Sequence, residues 1–187
     1  PHFTCVEQTR CGIRTISDLD LKVPVINVAE SWVKLEHESP LIAATVNEQL
    51  TRQLGVLAND GMSVGQRVTV VGFGAIGAAV ADEMTRAGYT VAVFDNDATR
   101  KAGAREAGYS VLDSKDNVWS RGGIVIGCTG LPVMDRADHD RVADGTLLIS
   151  ASSADVEFRA WQIRPWGTNL GVPGSGYNQN RAGHPCF

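Results

Sequence analysis

The stretch Arg67-Val-Thr-Val-Val-Gly-Phe-Gly-Ala-Ile-Gly77 is the most informative part of this 187-residue chain. Its first half is an apolar, β-branched run, which is typical of a buried parallel strand. Gly72, Gly74 and Gly77 then match a G-x-G-x-x-G turn that leads from such a strand into a helix. A turn of this kind lets backbone N–H groups approach a pyrophosphate, so the stretch predicts binding of a dinucleotide.

The residues after the glycine turn complete a βαβ unit. A helix is predicted over Ala75–Arg86, where apolar residues recur at spacings of four, and a second buried strand over Thr90–Asp95. Asp95 follows Gly77 by 18 positions, where an acidic residue accepts hydrogen bonds from the adenosine ribose and repels a 2′-phosphate. The predicted cofactor is therefore NAD. Arg100 is either a solvated helix residue or a cation that serves a 2′-phosphate.

The rest of the core alternates short apolar runs with helical segments. The predicted strands are Ser110–Leu112, Ile124–Cys128 and Thr146–Ser150, and the predicted helices are Ala98–Ala107, Ser114–Ser120 and Asp135–Val142. Such alternation predicts an α/β fold, a Rossmann-like doubly wound parallel sheet with flanking helices.

Three segments are expected along the chain. Residues 1–60 form a lead segment that ends in a docking or hinge helix, and residues 61–163 form the Rossmann NAD-binding domain. Residues 164–187 form an irregular tail punctuated by glycine and proline. The apolar positions that predict the helix are Leu41, Ala44, Leu50, Leu54 and Leu57. Because the chain begins with proline rather than methionine, we expect it to be a piece of a longer protein.

Composition excludes several classes of function. The formal net charge is −4, without a cluster of lysine or arginine, so a nucleic-acid partner is not expected. Apolar runs are too short to cross a bilayer and no signal segment opens the chain, which favours a cytoplasmic location without a membrane partner. The four cysteines lack the spacing of a metal site or a disulfide framework, so we expect reduced thiols and no metal.

Several segments occur in the order found in one enzyme family. They are Glu7–Gly12, Val23–Ser31, Lys34, the glycine turn, Thr129-Gly130 and Asp155–Glu157. In this combination the chain resembles the NAD-binding domain of S-adenosyl-L-homocysteine hydrolases. The resemblance implies a tightly held NAD that transiently oxidises the ribose 3′-hydroxyl of the substrate. Homocysteine is then eliminated, water adds, and the hydride returns.

The resemblance also implies roles for individual residues. The implied NAD contacts are Thr9, Arg10, Cys11, Asn27, Gly72, Gly74, Ala75, Ile76, Gly77, Asp95, Thr129 and Gly130. Lys34 would assist at the 3′-hydroxyl as a base, although an exposed lysine paired with Glu38 explains it equally well. His37 lies three positions after Lys34, close enough on a helix to share its face, and is a candidate to supply a substrate contact that the chain lacks. Glu38 is the third catalytic candidate. The implied partners are a nucleoside-like small-molecule substrate and further copies of the chain in a homo-oligomer.

The chain departs from the family at the substrate site. Gln8 stands where the family has a glutamate, Glu38 and Ser39 replace an Asp-Asn pair, Ala43 replaces a cysteine, and Ser153 replaces a histidine. These changes remove groups that contact the substrate sugar and leave the cofactor residues in place. Three functions therefore stay open: a hydrolase-like enzyme, a non-catalytic NAD-binding or sensing module, and an ordinary NAD-dependent dehydrogenase.

Overall fold

The computed structural model describes residues 3–152 and 156–159. Contacts divide the described residues into two compact units, one containing residues 3–31 and the other Trp32–Arg159. No helix in this described part is both long and apolar enough to span a membrane.

The smaller unit is built on two short parallel strands. Strand β1 (Cys5–Glu7) pairs with β2 (Val25–Asn27), and helix α1 (Arg10–Ile16) follows β1. The hydroxyl of Thr9 caps α1 by accepting a hydrogen bond from the N–H of Gly12 at 2.9 Å. The sequence pattern predicts neither β1 nor α1, because three-residue strands and a seven-residue helix offer too few positions for a periodic signal.

The larger unit contains a five-stranded parallel sheet in the order β5-β4-β3-β6-β7. Its elements are α2 (Ser39–Asn59), β3 (Arg67–Val71), α3 (Ala75–Arg86), β4 (Thr90–Phe94), α4 (Ala98–Glu106), β5 (Ser110–Val111), α5 (Lys115–Ser120), β6 (Ile124–Gly127), α6 (Arg136–His139) and β7 (Leu147–Ser150). From β3 the chain winds outward through β4 to β5, then returns beside β3 and winds the other way through β6 to β7. The predicted doubly wound Rossmann-like fold is confirmed.

The central strands supply apolar side chains to two cores, one on each face of the sheet. Val68 and Val70 of β3 belong to a core that includes Val80 of α3. Val71 belongs to the opposite core, which includes Trp119 of α5. Alternate residues of a strand point to opposite faces, so a strand whose consecutive residues are buried, as Val68–Val71 are, requires cover on both sides.

Helix α2 packs against α3 through a face that only partly matches the predicted one, which included Leu50 and Leu54 of the core. Ala43 and Leu50 are buried, seven positions apart, and the side-chain amide of Asn47 donates a hydrogen bond to Glu83 at 2.8 Å. Leu41, a predicted member of the apolar stripe, is 68% exposed. Ala44 is exposed as well, so the prediction is wrong at these two positions. The apolar residues of α2 are compatible with two neighbouring faces of the helix, which differ by a small rotation about its axis. Only packing against the rest of the protein decides which face is buried. The predicted boundaries after residues 60 and 163 stay predictions.

A π-helical turn, Lys34–Glu38, lies directly ahead of α2. Pro40 occupies the first turn of α2. Proline has no N–H to donate to the carbonyl four residues earlier, and its ring crowds that carbonyl. A widened turn before Pro40 relieves this conflict, and such insertions are frequent at functional sites.

The cysteines differ from the expectation of four reduced thiols. Cys5 and Cys128 are free, as expected. Cys11 is disulfide-bonded, so the expectation is wrong there.

Two glycines in helices provide a test of the packing. Gly77→Ala is expected to destabilise the fold by about 1–3 kcal/mol, because a Cβ at Gly77 would lie 1.8 Å from the carbonyl oxygen of Gly72. Gly103→Ala is the matched control: its Cβ would meet no atom within 4 Å, so a gain of about 0.5–1 kcal/mol is expected. Urea unfolding of both variants measures the difference. Equal destabilisation by the two substitutions would contradict this account of the helix–strand contact.

Candidate functional site

The glycine turn lies at the carboxyl edge of β3, where helix and strand approach closely. Gly72 adopts a φ of 95°, a left-handed conformation that favours glycine, and a Cβ there would lie 2.7 Å from Cγ2 of Thr129. A Cβ at Gly77 would overlap the carbonyl of Gly72. Two of the three glycines are therefore required by contacts within the protein itself.

Gly74 differs from the other two glycines because open space surrounds it. A Cβ at Gly74 would have one neighbour within 4 Å, Nη1 of Arg100 at 3.8 Å. Gly74 is also the N-cap of α3 and offers no side-chain acceptor to the first N–H groups of that helix. Unpaired N–H donors and the positive end of a helix dipole beside an open cradle fit the pyrophosphate of a dinucleotide.

Asp95 directly follows β4 and is only 7% exposed. Its Oδ2 accepts a hydrogen bond from the N–H of Phe73 at 2.7 Å, and its Oδ1 accepts one from the N–H of Asp97 at 2.9 Å. The carboxylate therefore fixes the conformation of the glycine turn. The sequence signature suggests only contact with a ribose, and it shows no sign of this second role.

Arg100 lies in the first turn of α4, beside the predicted ribose end of the site. Its Nη1 is 3.7 Å from Oδ2 of Asp95, and the side chain is 44% exposed. Asp97 caps α4 by accepting a hydrogen bond from the N–H of Arg100 at 3.0 Å, and this bond lowers the pKa of Asp97. Arg100 is thus partly solvated and also close enough to Asp95 to offset some of its charge.

Thr129 and Gly130 follow β6, next to the glycine turn. Their N–H groups donate hydrogen bonds to Oε1 of Glu157 at 2.6 and 3.1 Å. The hydroxyl of Ser150, at the end of β7, donates to Oε2 at 2.6 Å. Glu157 is fully buried. No role is predicted for it from the sequence, although a glutamate between Val156 and Phe158 is a visible signal.

Cys128 lies between the glycine turn and Glu157. A Cβ at Gly77 would be 3.5 Å from Cβ of Cys128. Burial, with a smaller contribution from the Glu157 carboxylate, raises the pKa of the Cys128 thiol far above its usual range. The thiol therefore stays protonated and fills space under the turn.

The predicted catalytic residues lie on the π-helical turn. Nζ of Lys34 is 2.8 Å from Oε2 of Glu38, and these side chains are 28% and 45% exposed. The ring of His37 packs against the indole of Trp32, with ring centroids 5.7 Å apart. The Lys34–Glu38 ion pair, predicted from the sequence as the alternative to a catalytic role for Lys34, is present. The catalytic roles stay predictions.

The predicted cofactor residues fall into two groups. Gly72, Gly74, Ala75, Ile76, Gly77, Asp95, Thr129 and Gly130 lie together in the larger unit, at the carboxyl ends of β3, β4 and β6. Thr9, Arg10, Cys11 and Asn27 lie in the smaller unit. There Arg10 pairs with Glu30 at 3.3 Å, and Oδ1 of Asn27 accepts a hydrogen bond from the N–H of Ala29 at 3.0 Å. Their contacts with NAD stay predictions. Ser153 lies outside the described residues.

Gly74→Val is expected to abolish NAD binding and to leave the fold intact. The valine side chain would occupy the space in which backbone meets pyrophosphate, and its Cβ would have one protein atom within 4 Å, Nη1 of Arg100 at 3.8 Å. The free energy of unfolding, measured by thermal melting, should fall by only about 1 kcal/mol, the usual cost of a poorer N-cap, and calorimetric titration should show no NAD binding. A variant that binds NAD with unchanged affinity would show that the motif is only a turn.

NAD is expected to bind more tightly than NADP. The 2′-phosphate would place like charges a few ångströms from Asp95, at a cost on the order of 1–4 kcal/mol for effective dielectrics of 80 to 20. Asp95→Asn should narrow the difference between the two affinities, and Arg100→Ala should widen it, because Arg100 is the cation beside that carboxylate. Calorimetric titration of the unmodified chain and of the two variants with NAD and with NADP gives the dissociation constants to compare. Equal or tighter binding of NADP by the unmodified chain would refute the expectation.

Comparison with known proteins agrees with this geometry. An uncharacterized protein of Mycobacterium tuberculosis (strain ATCC 25618 / H37Rv) is 34% identical over 161 residues, covering 85% of this chain and 29% of that protein. An adenosylhomocysteinase of Thermococcus kodakarensis is 30% identical over 176 residues, covering 89% of this chain and 40% of that protein. The chain thus spans less than half the length of either relative.

A solved structure and a family model complete the comparison. A dipicolinate synthase chain from Bacillus halodurans has a TM-score of 0.61 at 15% identity, covering 84% of this chain and 53% of that one, which shows a shared fold. Residues 44–137, half of the chain, match the model of the D-isomer specific 2-hydroxyacid dehydrogenase NAD binding domain. These residues include the glycine turn, Asp95 and Thr129, so the chain belongs to this family of NAD-binding domains.

Proposed function

We propose that the chain is the NAD-binding domain of an adenosylhomocysteinase-like protein. Its NAD would accept a hydride transiently from a hydroxyl group of a nucleoside-like substrate and later return it. NAD binding follows from the domain family. The type of substrate and the return of the hydride are the parts that this proposal adds. Homo-oligomeric assembly is part of the same proposal.

The observation that carries the proposal is the extent of the likeness to adenosylhomocysteinase. The family model of 2-hydroxyacid dehydrogenases covers residues 44–137 alone. The likeness to adenosylhomocysteinase covers 89% of the chain, so it must extend through the π-helical turn with Lys34 and Glu38. A similarity confined to the nucleotide fold would not reach this turn.

Lys34 is the residue best suited to act on a hydroxyl group. Its amine is held by Glu38 at 2.8 Å and is partly shielded from solvent. The carboxylate orients the amine, which in its neutral form can take the proton of a substrate hydroxyl while hydride passes to NAD and can return that proton when the hydride returns. His37 lies against Trp32, which leaves it as a residue that shapes the turn in this proposal.

The substrate is expected to differ from S-adenosyl-L-homocysteine. Ala43, which stands in place of the family's cysteine, is buried in the core, and Ser39 is buried as well. Neither side chain replaces the lost sugar contact. We therefore do not expect this chain alone to release homocysteine at an ordinary enzymatic rate, on the order of 1 s⁻¹ or faster.

The family model favours a second candidate, an NAD-dependent dehydrogenase of 2-hydroxy acids. Its reaction would leave NADH as a released product, whereas the proposed reaction regenerates NAD on the protein. The fate of the hydride therefore separates the two candidates, and a module that only binds NAD would produce no NADH at all.

Adenosine added to the NAD-loaded chain is expected to produce protein-bound NADH without release of NADH into solution. Absorbance of the complex and of an ultrafiltrate measures both quantities. Lys34→Ala should lower the rate of NADH formation by about a hundredfold or more, within the range of general acid–base catalysis. Lys22→Ala is the matched control, because Lys22 is an exposed lysine that also pairs with an acidic neighbour.

Other outcomes of the same assay would contradict the proposal. NADH that accumulates in the filtrate with 2-hydroxy acids, and not with adenosine, would establish the dehydrogenase instead. Binding of NAD without NADH formation from either compound would leave a binding module. An equal loss in the Lys22 and Lys34 variants would remove Lys34 from the reaction.

A further inference from the structure

Glu157 is a buried carboxylate that the proposed reaction does not use. It has no measurable exposure, and a Cβ at Gly127 would lie 2.8 Å from its Oε2. Burying an ionised carboxylate is costly unless hydrogen bonds and an opposite charge compensate for the loss of water. The compensation available to Glu157 therefore has to be accounted for.

Hydrogen bonds supply one part of this compensation. The N–H groups of Thr129 and Gly130 and the hydroxyl of Ser150 all donate to the carboxylate, and the hydroxyl of Thr129 lies 3.0 Å from Oε1. An ionised carboxylate is an acceptor only and fits this set of donors. All of these donors are neutral groups, so the negative charge itself is not neutralised by them.

An opposite charge is absent from the surroundings that the structure describes. Among residues 3–152 and 156–159, Glu157 forms no ion pair with lysine, arginine or histidine. Asp95, the other buried carboxylate at this edge, differs in this respect because Arg100 lies 3.7 Å away. Within this described part of the chain, no cationic side chain therefore balances the Glu157 carboxylate.

The position of Glu157 indicates what supplies the missing charge. NAD lies across the point where the strand order reverses, with one mononucleotide on each side. This point lies between β3 and β6. Asp95, which follows β4, marks the adenosine side, so the nicotinamide half belongs on the side of β6 and β7. Glu157 holds the ends of these two strands through Thr129 and Ser150.

We propose that Glu157 is the counter-charge of the oxidised nicotinamide ring and favours binding of NAD⁺ over NADH. The oxidised ring carries one positive charge, which the ring loses when it accepts a hydride. A fixed negative charge in a water-poor site stabilises the oxidised ring and does nothing comparable for the reduced one. The inference rests on NAD binding and is independent of the proposed hydride transfer from a nucleoside.

The test is the ratio of the two dissociation constants, measured by calorimetry for NAD⁺ and NADH. Glu157→Gln keeps the size of the side chain. Its oxygen can still accept from Thr129 and Gly130, and its amide can donate to Ser150. The variant is expected to raise the ratio Kd(NAD⁺)/Kd(NADH) by about fivefold, the order expected for one charge several ångströms away. A purely structural residue would change both constants by the same factor.

Asp95→Asn is the control, because it removes a buried carboxylate on the adenosine side. It should weaken NAD⁺ and NADH equally and leave the ratio unchanged. A ratio that stays constant in Glu157→Gln, whether or not both affinities fall, overturns the proposal, and so does a ratio that falls. A ratio that rises equally in both variants also overturns it.

A measurement on the unmodified chain decides the question if the glutamine variant does not fold. Cyanide donates its electron pair to C4 of the oxidised ring, forms a C–C bond there and abolishes the positive charge. Bound NAD⁺ is expected to form this adduct less readily than free NAD⁺, because addition would leave Glu157 without its counter-charge. Equal or more favourable addition in the complex overturns the proposal.

Discussion

The close contact between the start of α3 and the end of β3 positions the predicted pyrophosphate-binding part of the site. No side chain fits at Gly77, because the carbonyl of Gly72 lies where its Cβ would be. The helix is thereby held with its N-terminus directly at the carboxyl edge of the sheet. Its unpaired N–H groups then face the open space at Gly74, and an anion can approach the backbone itself.

Two buried carboxylates organise this edge from opposite sides. Asp95 accepts N–H groups from the glycine turn and from the start of α4, and Glu157 accepts N–H groups from the turn after β6. Each carboxylate thus restricts the backbone conformation of the turn whose N–H groups it accepts. They differ in charge balance, since Arg100 accompanies Asp95 alone within the described residues. Arg100 thus offsets part of the charge of Asp95, and the counter-charge proposed for Glu157 is the nicotinamide ring.

The proposed catalytic turn follows a different principle. Pro40 opens the helical turn ahead of α2, and the widened turn carries Lys34 and Glu38. In the proposed reaction, the nucleotide fold would hold the oxidant, NAD, and this turn would supply the groups that move a proton. The nucleotide fold is defined by the match to a domain family. The proposed role of the turn rests on the Lys34–Glu38 ion pair and on its position in the chain.

The sequence by itself predicts the sheet, the glycine turn and the cofactor. It does so because the β-branched runs, the glycines and Asp95 form a pattern whose spacing along the chain reflects local geometry. Both members of the Lys34–Glu38 pair are readable in the same way, four positions apart on one turn. Which face of α2 is buried depends on three-dimensional packing, since neighbouring stripes of one helix are equally apolar. The role of Glu157 depends on packing too, because its partners at Thr129 and Ser150 follow different strands and meet only when β6 and β7 pair.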